Sequence, residues 1–255
     1  MDALNTNTLV VEDEGQYVRI VISRPHRKNS IDRATMQELG DCISSFAERE
    51  DLKLLVLTGA GDIFVAGGDI RDLDSLKDGP AVEAMSLRMN EVLLAIEQLD
   101  CVTVAAINGD AIGGGCELAL ACDVRFLKDT ASLHFKQVFM GVTPGWGGGQ
   151  RLSRLIGPGK AAYLYGLGVS VSAAEALSHG IVDFVVADIG HRIEELRHIA
   201  TTVPPQALRL TKRAIREGKS LELSEAYSLE RSLFVESWVS DEHKRAVDRF
   251  LVRKK

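Results

Sequence analysis

The chain has 255 residues, 45% hydrophobic, 26% charged and only 5% aromatic. At this length roughly three quarters of the unfolded surface can be buried, so neither a disulfide framework nor a structural metal is required for a core. Thirty Lys and Arg against 36 Asp and Glu leave a net charge of −6, which argues against a dedicated binder of nucleic acid or of an anionic membrane surface.

In chain order, Leu9–Glu12 and Tyr17–Ser23 read as strands around the turn Asp13-Glu14-Gly15. Asp32 caps a helix whose apolar residues Met36, Leu39, Ile43 and Phe46 recur at helical spacing. Lys53–Thr58 and Val102–Ile107 are apolar runs without polar alternation, as strands buried on both faces require. A long helix over Ala81–Leu99 lies between them, and this alternation indicates an α/β architecture with parallel pairing. Further on, Ser172 and Glu175 form a capping box for a short helix ending at Gly180, and Ile181–Ala187 reads as one more strand. From Gly190 the chain reads helical, broken at Pro204-Pro205. The organisation expected is an α/β core over 1–189 and a helical region over 190–255.

The four cysteines form no CxxC pair and read as buried free thiols. The N-terminus lacks a basic and apolar leader, and no apolar run reaches the ~20 residues of a membrane span. A cytoplasmic location is expected. Several familiar signatures fail. Gly157-Pro158-Gly159-Lys160 lacks both the first glycine and the Ser/Thr of a phosphate loop, and no GxGxxG, GxSxG or HExxH occurs. No metal or redox cofactor is implied.

Glycine is the unusual component: nine of the 23 fall between Gly109 and Gly149. Two glycine-rich bends, Phe64–Ile70 and Asn108–Glu117, each follow a buried strand directly, and the second runs into a helix over Glu117–Ala121. Such bends let backbone approach a ligand, and two on neighbouring strands could aim two N–H donors at one oxygen. Close packing of backbone on backbone is the alternative. For Glu117 the alternatives are proton transfer and a charge–dipole contact at a helix N-terminus.

SRPHRKNSID at 23–32, FVAGGDIRDL at 64–73, INGDAIGGGCELALACDVRF at 107–126 and MGVTPGWGGGQRL at 140–152 together resemble the crotonase superfamily, the enoyl-CoA hydratase/isomerase family. The resemblance continues in register through SVSAAEALSHGIVDFVV at 170–186. It implies a spiral of ββα units, a C-terminal helical trimerisation region giving a trimer or dimer of trimers, and a coenzyme A thioester as substrate, with no other cofactor. By motif position the two oxyanion-hole amides fall on Gly68 and Gly114, and the first catalytic glutamate on Glu117. Ala66, Gly67, Gly68, Asp69 and Ile70 would line the pantetheine. His26 and Arg27 would lie near the nucleotide end, which Phe250 and Arg253 of the terminal helix would also approach.

The second catalytic glutamate of hydratases falls on Gln137, which can hydrogen-bond a water but exchanges no proton near neutral pH. Loss of that carboxylate is also a feature of ethylmalonyl-CoA decarboxylase-like members, which this chain resembles in Trp146-Gly147-Gly148, in Ala121–Arg125 and in Trp238. In that branch Trp146 and Phe139 are candidates for an apolar wall, with core packing the alternative for Trp146. The resemblance therefore implies hydratase/isomerase chemistry on an acyl-CoA, with decarboxylation of a malonyl-type thioester as the alternative. A non-catalytic acyl-CoA-binding homologue is the second alternative.

Overall fold

Uninterrupted apolar strands need cover on both faces, and the computed structural model of residues 2–252 supplies it with a large sheet, a small sheet and flanking helices. Strands β1 (Asp2–Asn5), β2 (Leu9–Asp13) and β3 (Tyr17–Ile22) form an antiparallel meander. Strand β1 carried no signal in the sequence. Helix α1 (Arg33–Ser45) starts where expected, the Thr35 amide donating to Asp32 Oδ1 at 2.8 Å.

Three ββα turns follow. The first is β4 (Leu54–Gly59), β5 (Ile63–Val65), the short α2 (Ile70–Leu73) and the long α3 (Gly79–Gln98). The second is β6 (Val102–Ile107), β7 (Asp110–Ile112) and α4 (Gly114–Ala119). The third is β8 (Val124–Lys128), β9 (Ser132–His134), α5 (Gly148–Ile156) and α6 (Pro158–Gly166). Each turn gives its first strand to the large sheet, ordered β1-β2-β3-β4-β6-β8 and closed by β11 (Phe184–Val186). Its second strand goes to the small sheet, ordered β10-β9-β7-β5, with β10 spanning Ser170–Ser172. This is the ββα spiral the resemblance implied.

Helix α7 (Ala173–His179) carries the expected capping box and stops at Gly180 in the left-handed conformation. The strand expected over Ile181–Ala187 is only three residues long, because Ile181 and Val182 are still turning off α7 and their amides bond Ala176 O. Helices α8 (Ile189–Thr202), α9 (Pro205–Gly218), α10 (Leu223–Trp238) and α11 (Asp241–Val252) complete the chain, with the break at Pro204-Pro205.

The main core takes Leu55, Leu57, Ala105, Ile107 and Leu127 from one face of the parallel strands. On the other face Leu54, Val56, Val104, Ala106 and Phe126 are covered by Ile193 of α8. Alternate residues are thus buried on opposite sides, which accounts for the missing polar alternation. All four cysteines are free thiols. Cys101, Cys116 and Cys122 are buried as expected, whereas Cys42 is partly exposed.

Candidate active site

The two glycine bends do not follow the long strands directly. Each leaves the small sheet, from the C-terminal ends of the parallel neighbours β5 and β7. Open parallel sheets place ligands at such strand ends. The first bend lies alongside residues 28–31: the Ile31 amide donates to Gly67 O at 2.7 Å and the Asp69 amide to Ile31 O at 2.8 Å. Those bonds flank Gly68, so its own N–H points to the other side and has no partner among the described residues. In the second bend Gly113 (φ +55°) donates to His134 O at 2.8 Å, and its carbonyl accepts from Cys116 and Glu117. Gly114 is the first residue of α4, and its N–H is likewise unpartnered among the described residues.

The bends touch, since a Cβ on Gly67 would stand 3.0 Å from the Gly114 nitrogen. Across them lies the buried indole of Trp146, 5% exposed. A Cβ on Gly114 would come within 2.1 Å of its ring, and one on Gly68 within 3.5 Å. Only glycine fits at 114.

The first turn of α4 turns Glu117 inward, 2% exposed. Three donors meet its carboxylate: the Trp146 amide at 2.9 Å and the Gly148 amide at 2.8 Å on Oε2, and Gln137 Nε2 at 3.1 Å on Oε1. Gly148 must be glycine for its amide to reach, because a Cβ there would lie 2.4 Å from Glu117 Cγ. Burial pushes the Glu117 carboxyl above the usual range, and the backbone amides with Gln137 offset that only in part. The loop carrying Trp146 is held from outside: Asn90 Nδ2 donates to Gly145 O at 3.2 Å, and Arg151 Nη1 to Trp146 O at 2.8 Å while its Nε bonds Glu97.

Glu117, Gln137, Trp146 and the two bends are therefore brought together. Gln137, in the turn Gln137–Met140, stands within hydrogen-bond reach of Glu117. Other expected residues lie further out. Asp69 caps α2 and pairs with Arg24 Nη2 at 3.0 Å; burial works to raise its carboxyl, but Arg24 and the Arg71 amide hold it below the usual range. Its side chain is committed to holding the bend. Ala66 is half-buried, its amide bonded to Lys28 O, and Ile70 is exposed. His26 and Arg27 occupy a single 3₁₀ turn, His26 exposed and Arg27 partly so. Phe139, the other candidate wall residue, is 70% exposed and lies against Gly168. Phe250 lies on α11, and Arg253 falls outside the described residues.

One residue of the site gave no sequence signal. Tyr165, in the apolar helix α6, is 7% exposed. Its hydroxyl reaches to 2.5 Å from the place a Gly148 Cβ would take, beside Glu117. Among the described residues no three His, Cys, Asp or Glu side chains gather as a metal site would require, and no described helix is long and apolar enough to cross a membrane.

The family model for enoyl-CoA hydratase/isomerase matches residues 12–255. The short-chain-enoyl-CoA hydratase of Clostridium acetobutylicum is 33% identical over 99% of this chain and 97% of its own. The crotonyl-CoA hydratase of Syntrophomonas wolfei is 34% identical over 97% and 96%. The crystal structure of an enoyl-CoA hydratase from Bacillus anthracis superposes with a TM-score of 0.92 at 31% identity, covering 97% of both chains.

Proposed function

The chain belongs to the enoyl-CoA hydratase/isomerase family and is an enzyme of that type, and from that premise we propose that it adds water to a short trans-2-enoyl-CoA thioester. The thioester oxygen accepts from the Gly68 and Gly114 amides. Water attacks the β-carbon while Glu117 takes its proton, and the electron pair of the double bond moves onto the thioester oxygen as an enolate. Two fixed donors stabilise that charge, each worth about 10²–10³ in rate in comparable oxyanion holes. Glu117 then returns the proton to the α-carbon. Gln137 orients the water: its Nε2 holds Glu117, and its buried Oε1, unpartnered among the described residues, is free to accept the water's second O–H.

The observation that carries this reading is a buried carboxylate fixed by three donors, beside two glycine amides that have no partner among the described residues. The test is to follow loss of enoyl absorbance with crotonyl-CoA and identify the 3-hydroxybutyryl product. No hydration would overturn it.

A second reading is favoured by the amide at position 137, which leaves one proton carrier. A malonyl-type thioester would lose CO₂, the electrons of the broken C–C bond would pass to the same oxyanion site, and protonated Glu117 would quench the enolate. Release of CO₂ from methylmalonyl- or ethylmalonyl-CoA, without hydration, would install it.

Around this centre, Trp146 would wall the acyl group and Ala66–Ile70 would run beside the pantetheine. His26, Arg27, Phe250 and Arg253 would face the nucleotide end of coenzyme A. Residues 190–255 would join copies of the chain into a trimer or dimer of trimers. In support, α9, α10 and α11 leave Ile215, Tyr227, Phe234, Trp238 and Leu251 exposed. The free thiols support a reducing compartment, the cytoplasm.

A further inference from the structure

Among the described residues two buried polar atoms close to Glu117 lack a hydrogen-bond partner: Gln137 Oε1, already given a part above, and Tyr165 Oη, which has none. Nothing in packing alone calls for a hydroxyl at position 165. The Tyr165 ring is held edge-on by the fully buried Phe135, centroids 4.8 Å apart, and a phenylalanine would fill the same space. Buried tyrosine hydroxyls ordinarily find a partner, directly or through water.

The position of this hydroxyl is specific. Tyr165 Oη stands 2.5 Å, and Glu117 Oε2 2.9 Å, from one point beside the Gly148 backbone. One water bonded to both at about 2.7 Å each can span oxygens up to about 5.4 Å apart, which two atoms so near a common point satisfy. Two polar partners are the minimum that retains a buried water.

We propose that Tyr165 is a positioning residue for Glu117, its hydroxyl and the Glu117 carboxylate holding one water molecule between them on the Gly148 side. The water donates to the carboxylate and accepts from the phenol. Glu117 gains a donor on the side away from Gln137, which keeps it ionised and oriented in spite of its burial. The phenol stays protonated throughout, since burial and then the Glu117 charge push its ionisation well above the ordinary range. This inference rests on the reading of Glu117 as the proton carrier.

The test is Tyr165→Phe, with Glu117 titrated directly through the ¹³C shift of its carboxyl carbon. Loss of a donor to the charged form raises a carboxyl, so the midpoint should move up by about one unit. The acidic limb of kcat/KM for crotonyl-CoA should move with it, and KM should hold. An unmoved midpoint in folded Tyr165→Phe would overturn the proposal, even if kcat fell. Should that variant not fold, 3,5-difluorotyrosine at 165 keeps the ring and strengthens the donor. The midpoint should then move down, and no movement would again overturn the proposal. The titration needs no turnover, so failure of crotonyl-CoA hydration would remove the proposed reaction while leaving this link separately tested.

Discussion

Gly68 and Gly114 contribute backbone amides from the ends of β5 and β7, whereas Glu117, Gln137 and Tyr165 contribute side chains from α4, the 137–140 turn and α6. The amide half is fixed by sterics: strand pairing sets which N–H points outward, and the indole of Trp146 leaves no room for a Cβ at 114. The side-chain half is fixed by hydrogen bonds around one buried carboxylate, and two polar atoms beside it are still unpartnered among the described residues. The first half can be broken but hardly adjusted. The second can be adjusted one atom at a time.

The largest effect should come from the side-chain half. Glu117→Gln removes the proposed proton carrier, and turnover should fall by about 10²–10⁴. Acyl-CoA affinity should hold, because the new carboxamide can keep its oxygen on the Trp146 and Gly148 amides while Gln137 turns its own amide over to accept. Steady-state kinetics with calorimetric binding checks this, and wild-type turnover would make Glu117 structural. The same residue sets a pH profile. In the proposed role of base it must be ionised, and burial raises its carboxyl. In the wild type kcat/KM should therefore fall with decreasing pH through a midpoint above the ordinary glutamate value of about 4.3. The Glu117→Gln variant should lose that limb.

Breaking the amide half comes next. Gly114→Ala puts a methyl 2.1 Å from the buried indole, so the bend or the ring must move. The proposed thioester-oxygen site would then lose one aligned donor, which should lower turnover by about 10²–10³, and the melting temperature should fall as well. Adding Trp146→Ala relieves the clash, so the double variant should melt above the single one, a coupling that contacting residues show. Additive losses would mean that the two residues do not oppose each other.

A smaller effect separates adjustment from breakage. Gln137→Glu places a second carboxyl at the 3.1 Å contact with Glu117. Two such groups share one proton and titrate as a pair. Hydration of crotonyl-CoA should rise by about tenfold, within the range for a positioned acid or base, and the acidic limb should move upward. An unchanged or slower rate would mean that Gln137 already performs what this site needs.

The two halves also differ in how well the sequence disclosed them. Glycine pairs after apolar runs marked both bends, because no other residue accepts such backbone contacts. The short strands β5 and β7 that carry the bends were invisible, since three residues hold no periodicity. Glu117 was marked by its place on the first turn of α4, and the family register located Gln137. The sequence could not reveal that Glu117 collects the Trp146 and Gly148 amides from 29 and 31 residues away. Tyr165 left no trace, because its AAYLYG surroundings read as core and only the fold brings its hydroxyl beside Gly148. Phe139, read as a wall candidate from its residue type alone, lies 70% exposed in its turn, an exposure that its sequence surroundings do not disclose.

The smallest effect falls on the contact between the halves. Trp146 belongs to both, since its amide holds Glu117 while its ring covers Gly114 and approaches Gly68. Trp146→Phe keeps the amide on Glu117 and the carbonyl on Arg151, so kcat for crotonyl-CoA should stay close to wild type. The wall recedes where the larger ring system ended. Longer enoyl chains should then gain in kcat/KM relative to crotonyl-CoA by up to about tenfold, the low end of what one methylene in an apolar pocket is worth. Part of the space freed by the smaller ring would remain unfilled, and unfilled core volume destabilises by about 24 cal/mol per Å³. Chain-length profiles from butenoyl to octenoyl thioesters measure the first effect and thermal melting the second. If crotonyl-CoA turnover instead fell to the level of Gly114→Ala, the indole would be bracing the amide half, and the boundary between the fixed and adjustable parts of the site would lie at Trp146 itself.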